Sequence, residues 1–172
     1  MKERLILHDL VGPLPASLSE SRKVVLFSAS PAVKPCVGCF GCWLKTPGVC
    51  VIPDRGQAFA PLLGQCGTFV IVSRLVFGGY SADVKSVLDR GIGYMLPFFT
   101  VIKGETHHAP RFKGRFHLKV LFYGSASDGE GRAAAQGLVR ANAVNLCAKS
   151  HEVLFFESAQ EAADELRREA SE

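Results

Sequence analysis

Thr68-Phe-Val-Ile-Val-Ser-Arg-Leu-Val-Phe-Gly-Gly-Tyr-Ser81 decides the fold. Its first five residues are apolar or β-branched with no polar alternation, which predicts a central strand buried on both faces. Ser73 to Tyr80 then reads as a loop, and Ser81 as the N-cap of a helix. On that helix Val84, Val87, Leu88, Gly91 and Met95 share one face, while Lys85 and Asp89 stand one turn apart on a solvated side.

The same alternation continues outward in both directions. Arg4–Leu10 and Lys23–Ser28 are short apolar runs and read as the first two strands; Leu118–Tyr123 and Glu152–Glu157 read as the fourth and fifth. Helices are expected at 54–64, with Pro61 tolerable only near a helix start, and at 132–149, with Ala134, Leu138, Ala141, Val144 and Ala148 on one face. A last helix opens on the capping box of Ser158 and Glu161. Residues 11–22, between the first two strands, leave room for no more than a turn or two of helix. Residues 96–117 read as an irregular insertion or a hairpin turning at Lys103-Gly104. There the adjacent His107 and His108, with Glu105 nearby, suggest metal or substrate contact but in an exposed loop read rather as unliganded polar residues, and Phe98, Phe99, Phe112 and Phe116 suit a subunit interface or a lid over a cofactor. Strands alternating with helices over residues 1–172 predict a single α/β domain of three layers around a parallel sheet.

Hydrophobic residues at 48% and charged residues at 21% exclude a disordered chain. The net charge of +4 comes with no basic stripe interleaved with aromatics, so nucleic acid is not an expected partner. The first residues are charged, and the longest near-apolar run, 91–102, is short of a span and contains Pro97. No membrane is expected, and the setting read from this is cytoplasmic, with reduced thiols.

Cys36, Cys39, Cys42 and Cys50 form a C-x2-C-x2-C-x7-C pattern that puts four of the six cysteines within fifteen residues. Gly38 and Gly41 each precede a cysteine and allow a tight backbone. Three thiolates on one loop and a fourth returning from outside it is the arrangement of a cubane 4Fe–4S site. Zinc, which prefers paired knuckles across a longer loop, a thiol–disulfide switch, and ligand-free thiols remain as alternatives.

Cys36-Val-Gly-Cys-Phe-Gly-Cys-Trp-Leu-Lys-Thr-Pro-Gly-Val-Cys-Val-Ile-Pro-Asp54, Ser73 through Ser81, and Lys85-Ser-Val-Leu-Asp-Arg90 together resemble the flavodoxin-like flavoproteins, in their NAD(P)H-dependent FMN reductase and iron–sulfur flavoprotein branch. The resemblance implies a five-stranded parallel sheet of order 2-1-3-4-5, with FMN at the strand carboxyl ends. It places Arg74, Leu75, Val76, Phe77, Gly78, Gly79 and Tyr80 against the isoalloxazine, the glycines allowing close backbone approach, with Gly124 and Ser125 bordering the pocket. It places a 4Fe–4S cluster on Cys36, Cys39, Cys42 and Cys50, near the flavin edge or at a subunit contact. NAD(P)H as donor, a protein electron donor or acceptor, and a homo-oligomer are further implications. Two departures stand out: residues 11–21 hold no Gly-x-Ser/Thr phosphate cradle, and Arg74 replaces a proline common after the loop serine. The short first crossover favours an alternative, a domain of this fold that has lost FMN and uses its cysteine loop for metal binding, redox sensing or assembly.

Overall fold

The structure is a computed structural model and describes residues 2–12, 14, 18, 21, 23–102, 104–124 and 129–170. Five strands, β1 (Lys2–His8), β2 (Val24–Ser28), β3 (Cys66–Arg74), β6 (His117–Tyr123) and β7 (Ser150–Phe156), form one sheet in the order β2-β1-β3-β6-β7. All neighbours are parallel. Numbered within the sheet alone, this is the expected order 2-1-3-4-5, and β3 is central.

Side chains alternate across the sheet with period two, and each face has its own core. Leu5, Leu7, Phe69, Ile71, Leu118 and Val120 pack with Phe59, Val84, Val87 and Val139. These partners come from α2 (Phe59–Leu63), α3 (Ala82–Arg90) and α4 (Gly129–Asn145). Ile6, Val70, Val72 and Leu121 point the other way, onto Leu18 and onto Ala162 and Leu166 of α5 (Ala159–Ala170). The unbroken apolar run of β3 is therefore a strand covered on both faces, and each such side chain contributes about 1.5–3 kcal/mol by its burial.

Some elements differ from expectation for local reasons. Residues 54–64 divide into a 3₁₀ turn, Arg55–Ala58, and α2, with Asp54 capping the turn by accepting the Gly56 N–H at 2.8 Å. α3 stops at Arg90; Gly91–Tyr94 is 3₁₀ and Met95 already begins a strand. α4 buries Gly131, Ala135, Val139 and Ala143; of the expected face, Leu138 and Ala148 pack against the core and Val144 is half-buried, while Ala134 and Ala141 are exposed. Alanines on both sides of this helix gave the pattern no preference between two adjacent faces.

Residues 95–110 form an antiparallel hairpin, β4 (Met95–Ile102) with β5 (Glu105–Pro110), outside the main sheet. Lys103 of the expected turn lies outside the described residues, and Gly104 has φ +85°. A two-stranded ribbon is marginal alone. This one rests on a short helix, α1 (Gly41–Leu44), whose Trp43 Nε1–H donates to the Met95 carbonyl at 3.0 Å and whose indole meets His108 with centroids 4.9 Å apart. Of the four insertion aromatics, Phe116 is buried and Phe112 stacks on Tyr94, whereas Phe98 and Phe99 remain exposed. Among the described residues no helix is long and apolar enough to cross a membrane.

Candidate functional site

Two regions carry chemistry, at opposite ends of α3. The first is at the strand carboxyl ends, where β3 gives way to residues 74–80. Val76 and Gly79 exchange both backbone hydrogen bonds, at 3.0 and 2.9 Å, and the two residues between them have positive φ, +48° at Phe77 and +73° at Gly78. This is the geometry of a type I′ turn. A Cβ on Gly78 would stand 2.8 Å from Ala134 Cβ, so the close approach this glycine permits is to α4. Leu75 and Tyr80 are buried, Tyr80 stacked on Phe122, and only Arg74 and Phe77 of the loop are exposed, Phe77 wholly so. Phe77 is an aromatic in the left-handed region with its whole ring in solvent, a costly arrangement of the kind found at ligand sites. Gly124 (φ +74°) sits beside Arg74, while Ser125 lies outside the described residues.

A cavity of about 560 Å³ opens at the ends of β1 and β2, lined by His8, Leu10, Val11, Gly12, Leu14, Leu26, Ser28 and Ser30. His8 is buried and its Nδ1 has no hydrogen-bond partner. Burial lowers the His8 pKa, outweighing the attraction of Asp9. Asp9 accepts the Arg74 backbone N–H at 3.1 Å, and burial followed by the Asp9 charge pushes the Tyr123 phenol upward. The first loop thus offers a carboxylate where a phosphate cradle would present amides.

The second region is the cysteine loop. Cys36, Cys39, Cys42 and Cys50 all line one cavity of about 430 Å³, closed by Leu88, Asp89 and Arg90 of α3 and by Ile92. Gly38 has φ +65°, the left-handed turn its position required. Cys42 and Cys50 are buried and Cys36 and Cys39 exposed, and the Cys42 pKa is raised by burial first and then by Cys50, Cys36 and Cys39. Among the described residues, no three His, Cys, Asp or Glu side chains are gathered tightly enough to hold a single metal ion. The four sulfurs line a space.

Arg90 anchors this loop, and sequence reasoning missed it. The residue is 1% exposed, and all five guanidinium N–H donors are used. Nε–H donates to Cys50 Sγ at 3.0 Å, Nη1 to the Lys34 carbonyl at 2.7 Å and Asp54 Oδ2 at 3.0 Å, and Nη2 to the Ile52 carbonyl at 3.0 Å and Asp54 Oδ1 at 2.8 Å. The Arg90 hydrogen bonds hold the Asp54 pKa down at about 2. Burial lowers the guanidinium pKa, but Asp54 and Cys50 more than offset it and leave it raised. Asp54 also accepts the Lys34 N–H at 2.9 Å, and Gln57 Nε2 donates to the Cys50 carbonyl at 2.9 Å. Arg55, which bonds the Ser28 and Pro31 carbonyls and lies over the Phe27 ring, ties the same segment to β2. The partners of Arg90 are 36 to 56 residues away in sequence, and the arginine itself falls outside the expected apolar stripe of α3, so no local pattern signalled the network.

The cysteine cavity and residues 74–80 lie at opposite ends of α3. The cavity stands against the last turn of α3, whereas residues 74–80 precede the first turn, and eight steps of 1.5 Å separate them by about 12 Å. Cys66 and Cys147 are elsewhere. Both are buried, and burial raises both thiols, Cys66 to about 12, which keeps them protonated. His107 is held by Asn145 at 2.9 Å and Glu105 at 3.1 Å, in keeping with a structural role.

The residues present fit both groups that the resemblance implies. Four thiols around one cavity, with a guanidinium N–H directed at one sulfur, match the donor set and sulfur hydrogen bonding of a 4Fe–4S site. A roomy cavity lined by His8, whose buried Nδ1 is unpartnered, is suited to a flat, polar-edged cofactor, with the Asp9 carboxylate at the end of the same strand opposing a phosphate.

Comparison with solved structures identifies the fold. The chain superposes over 99% of its length on a crystal structure of an FMN-dependent NADH-azoreductase from Bacillus anthracis str. Ames Ancestor in complex with FMN, covering 98% of that chain at 13% identity with a TM-score of 0.59. It matches azoreductase AzrA over 98% of its length and 97% of that chain, at 14% identity and TM-score 0.61. It also matches an NADPH-quinone reductase from P. pentosaceus over 99% of its length and 98% of that chain, at 12% identity and TM-score 0.57. The sequence matches no protein-family profile and no curated protein. With the strand order, these likenesses establish a flavodoxin-like fold.

Proposed function

We propose that this flavodoxin-like chain is an NAD(P)H-dependent FMN oxidoreductase whose cysteine loop carries a 4Fe–4S cluster. The observation that carries the cluster reading is the convergence of Cys36, Cys39, Cys42 and Cys50 on one cavity, with Arg90 locked beneath Cys50. The flavin reading is supported by the fold shared with the azoreductases and the quinone reductase, and by the cavity at the carboxyl ends of β1 and β2. The chemistry these groups supply when bound is hydride acceptance from a nicotinamide by the flavin and single-electron exchange by the cluster. In this reading the chain's residues position both groups: Phe77 stacks on the flavin ring, His8 and the Ser28 and Ser30 hydroxyls meet its polar edge, and the four thiolates hold iron. A protein electron partner and a homo-oligomer belong to the same proposal, supported by the exposed Phe40, Leu44, Phe98, Phe99 and Val101. So does a cytoplasmic setting, supported by six free cysteines.

The experiment is anaerobic purification followed by quantification of iron, acid-labile sulfide and flavin. About four irons and four sulfides per chain are expected; stoichiometric zinc without sulfide overturns the cluster reading. Apo-protein is then titrated with FMN and with riboflavin. A second reading, a flavin-free domain that uses only its cysteine loop, is favoured by the Asp9 carboxylate at the end of β1. Failure of both flavins to bind up to roughly millimolar, about −4 kcal/mol, selects it.

A further inference from the structure

Four of the five Arg90 hydrogen bonds end on the Lys34 and Ile52 carbonyls and the Asp54 carboxylate, groups that shape the cysteine loop. The fifth, from Nε–H, ends on a sulfur, Cys50 Sγ at 3.0 Å. Among the described residues no other side chain donates to any of the four sulfurs of the cavity. The ion pair is neutral as a whole, but it has a direction. Asp54 takes Nη1 and Nη2 at 3.0 and 2.8 Å, the end of the guanidinium opposite Nε, so the positive group stands between the sulfur and the carboxylate. The side chains of the pair are 0% and 18% exposed, and water and salt therefore screen this arrangement weakly. Asp89, the other charged residue lining the cavity, is exposed and paired with Lys85. The field at Cys50 is thus dominated by one buried cation.

We propose that Arg90 sets the reduction potential of the cysteine centre, raising it through the Nε–H bond to Cys50 Sγ, while Asp54 behind the guanidinium moderates the rise. An electron added to a centre held by thiolates increases the negative charge on its sulfurs, and a positively charged donor against one of them favours that state. The inference rests on the cluster reading above and deepens it. Arg90 is not a ligand; it is a positioning residue that acts on the centre through Cys50.

The two halves of the pair separate tuning from anchoring. Arg90→Gln and Asp54→Asn both break the ion pair, and so loosen the loop alike, but they remove charges of opposite sign. The full chain is purified without oxygen, iron and acid-labile sulfide are counted, and each protein is titrated with dithionite, one electron per centre, and followed by electron paramagnetic resonance. At the wild-type midpoint Arg90→Gln should lower the ratio of reduced to oxidised centres about tenfold, about 59 mV for one electron, the effect of one charged hydrogen bond. Asp54→Asn should raise the ratio about threefold, the carboxylate being farther from the sulfur. A ratio that rises or stays in Arg90→Gln, or that falls or stays in Asp54→Asn, overturns the role. Should Arg90→Gln hold no iron, Asp54→Asn decides alone by the same criterion. Wild-type protein without iron and sulfide loses the cluster reading and this inference with it. Wild-type protein that holds them while the variants shift together keeps the cluster and loses only the role of Arg90.

Discussion

Replacing Arg90 by Met keeps the length of the side chain and removes five donors from a place that water reaches poorly. The change strands the Lys34 and Ile52 carbonyls, Cys50 Sγ and one side of the Asp54 carboxylate. Removing one partner of a buried ion pair costs about 3–5 kcal/mol, because the other charge is left without compensation. Asp54 is 18% exposed and keeps the Lys34 and Gly56 N–H groups, so some water and two donors remain to it and the low end applies, about 3 kcal/mol. For a chain of this size that is a fall in Tm of about 6–12 °C. Urea unfolding of wild type, Arg90→Met, Asp54→Asn and the double variant measures it, and the cycle separates the pair from its neighbours. Arg90→Lys should recover only part of the loss, since a single ammonium cannot reach both carboxylate oxygens and Cys50 together. An Arg90→Met protein within about 1 kcal/mol of wild type, or strictly additive costs in the cycle, would refute the claim that this arginine organises the loop.

The same pair fixes a pH dependence. Asp54 has its folded pKa depressed to about 2, so its contribution is complete above its unfolded value near 3.8 and is lost as pH falls through about 2; urea midpoints of wild type and Asp54→Asn should converge over that window, and a gap that persists below it contradicts the assignment. Serine at Cys36, Cys39, Cys42 or Cys50 should abolish or degrade iron and sulfide binding, whereas Cys66→Ser and Cys147→Ser should keep both, because those thiols are buried and protonated; metal analysis with circular dichroism decides between them. Phe77→Ala should leave the urea midpoint unchanged, the ring being wholly in solvent, but weaken flavin binding about tenfold; equal flavin affinity in the two proteins removes Phe77 from the pocket.

Most of the fold was legible because each strand of the sheet announced itself locally. The apolar run from Thr68 could be satisfied only between two layers, and Ser81 marked its helix, with Oγ accepting the Val84 N–H at 3.4 Å. The face of α4 was partly legible: Leu138 and Ala148 pack against the core as expected, but Ala135 is buried and Ala134 exposed, a choice that two adjacent alanines do not signal in sequence. The cysteine cavity was half legible. Spacing brought the sulfurs together, but Arg90 lay at the end of a helix whose next residues were expected to continue it, and its partners Lys34, Cys50, Ile52 and Asp54 are distant in sequence. The orphaned His8 and His108 nitrogens left no sequence trace at all, because an unpartnered atom is a property of packing.

α3 is the element the two chemical ends share, and the two ends are fastened independently. At its start Ser81 N–H donates to Ser73 Oγ at 2.9 Å, which ties the cap to the end of β3 beside residues 74–80. At its finish Arg90 holds the cysteine loop. Between them Val84 and Val87 are fully buried against the sheet, so a disturbance at the last turn has to move a packed core before it reaches the first. Arg90→Met should therefore separate the two functions. Loosening the cysteine loop should cut iron and sulfide content severalfold, while FMN affinity, set about 12 Å away along the helix, should stay within twofold of wild type. Both quantities can be read on one anaerobic preparation, by metal analysis and by flavin titration. Parallel loss of iron and of FMN affinity in a protein that remains folded would mean that the two ends form one site, with the flavin reaching the cysteines across α3.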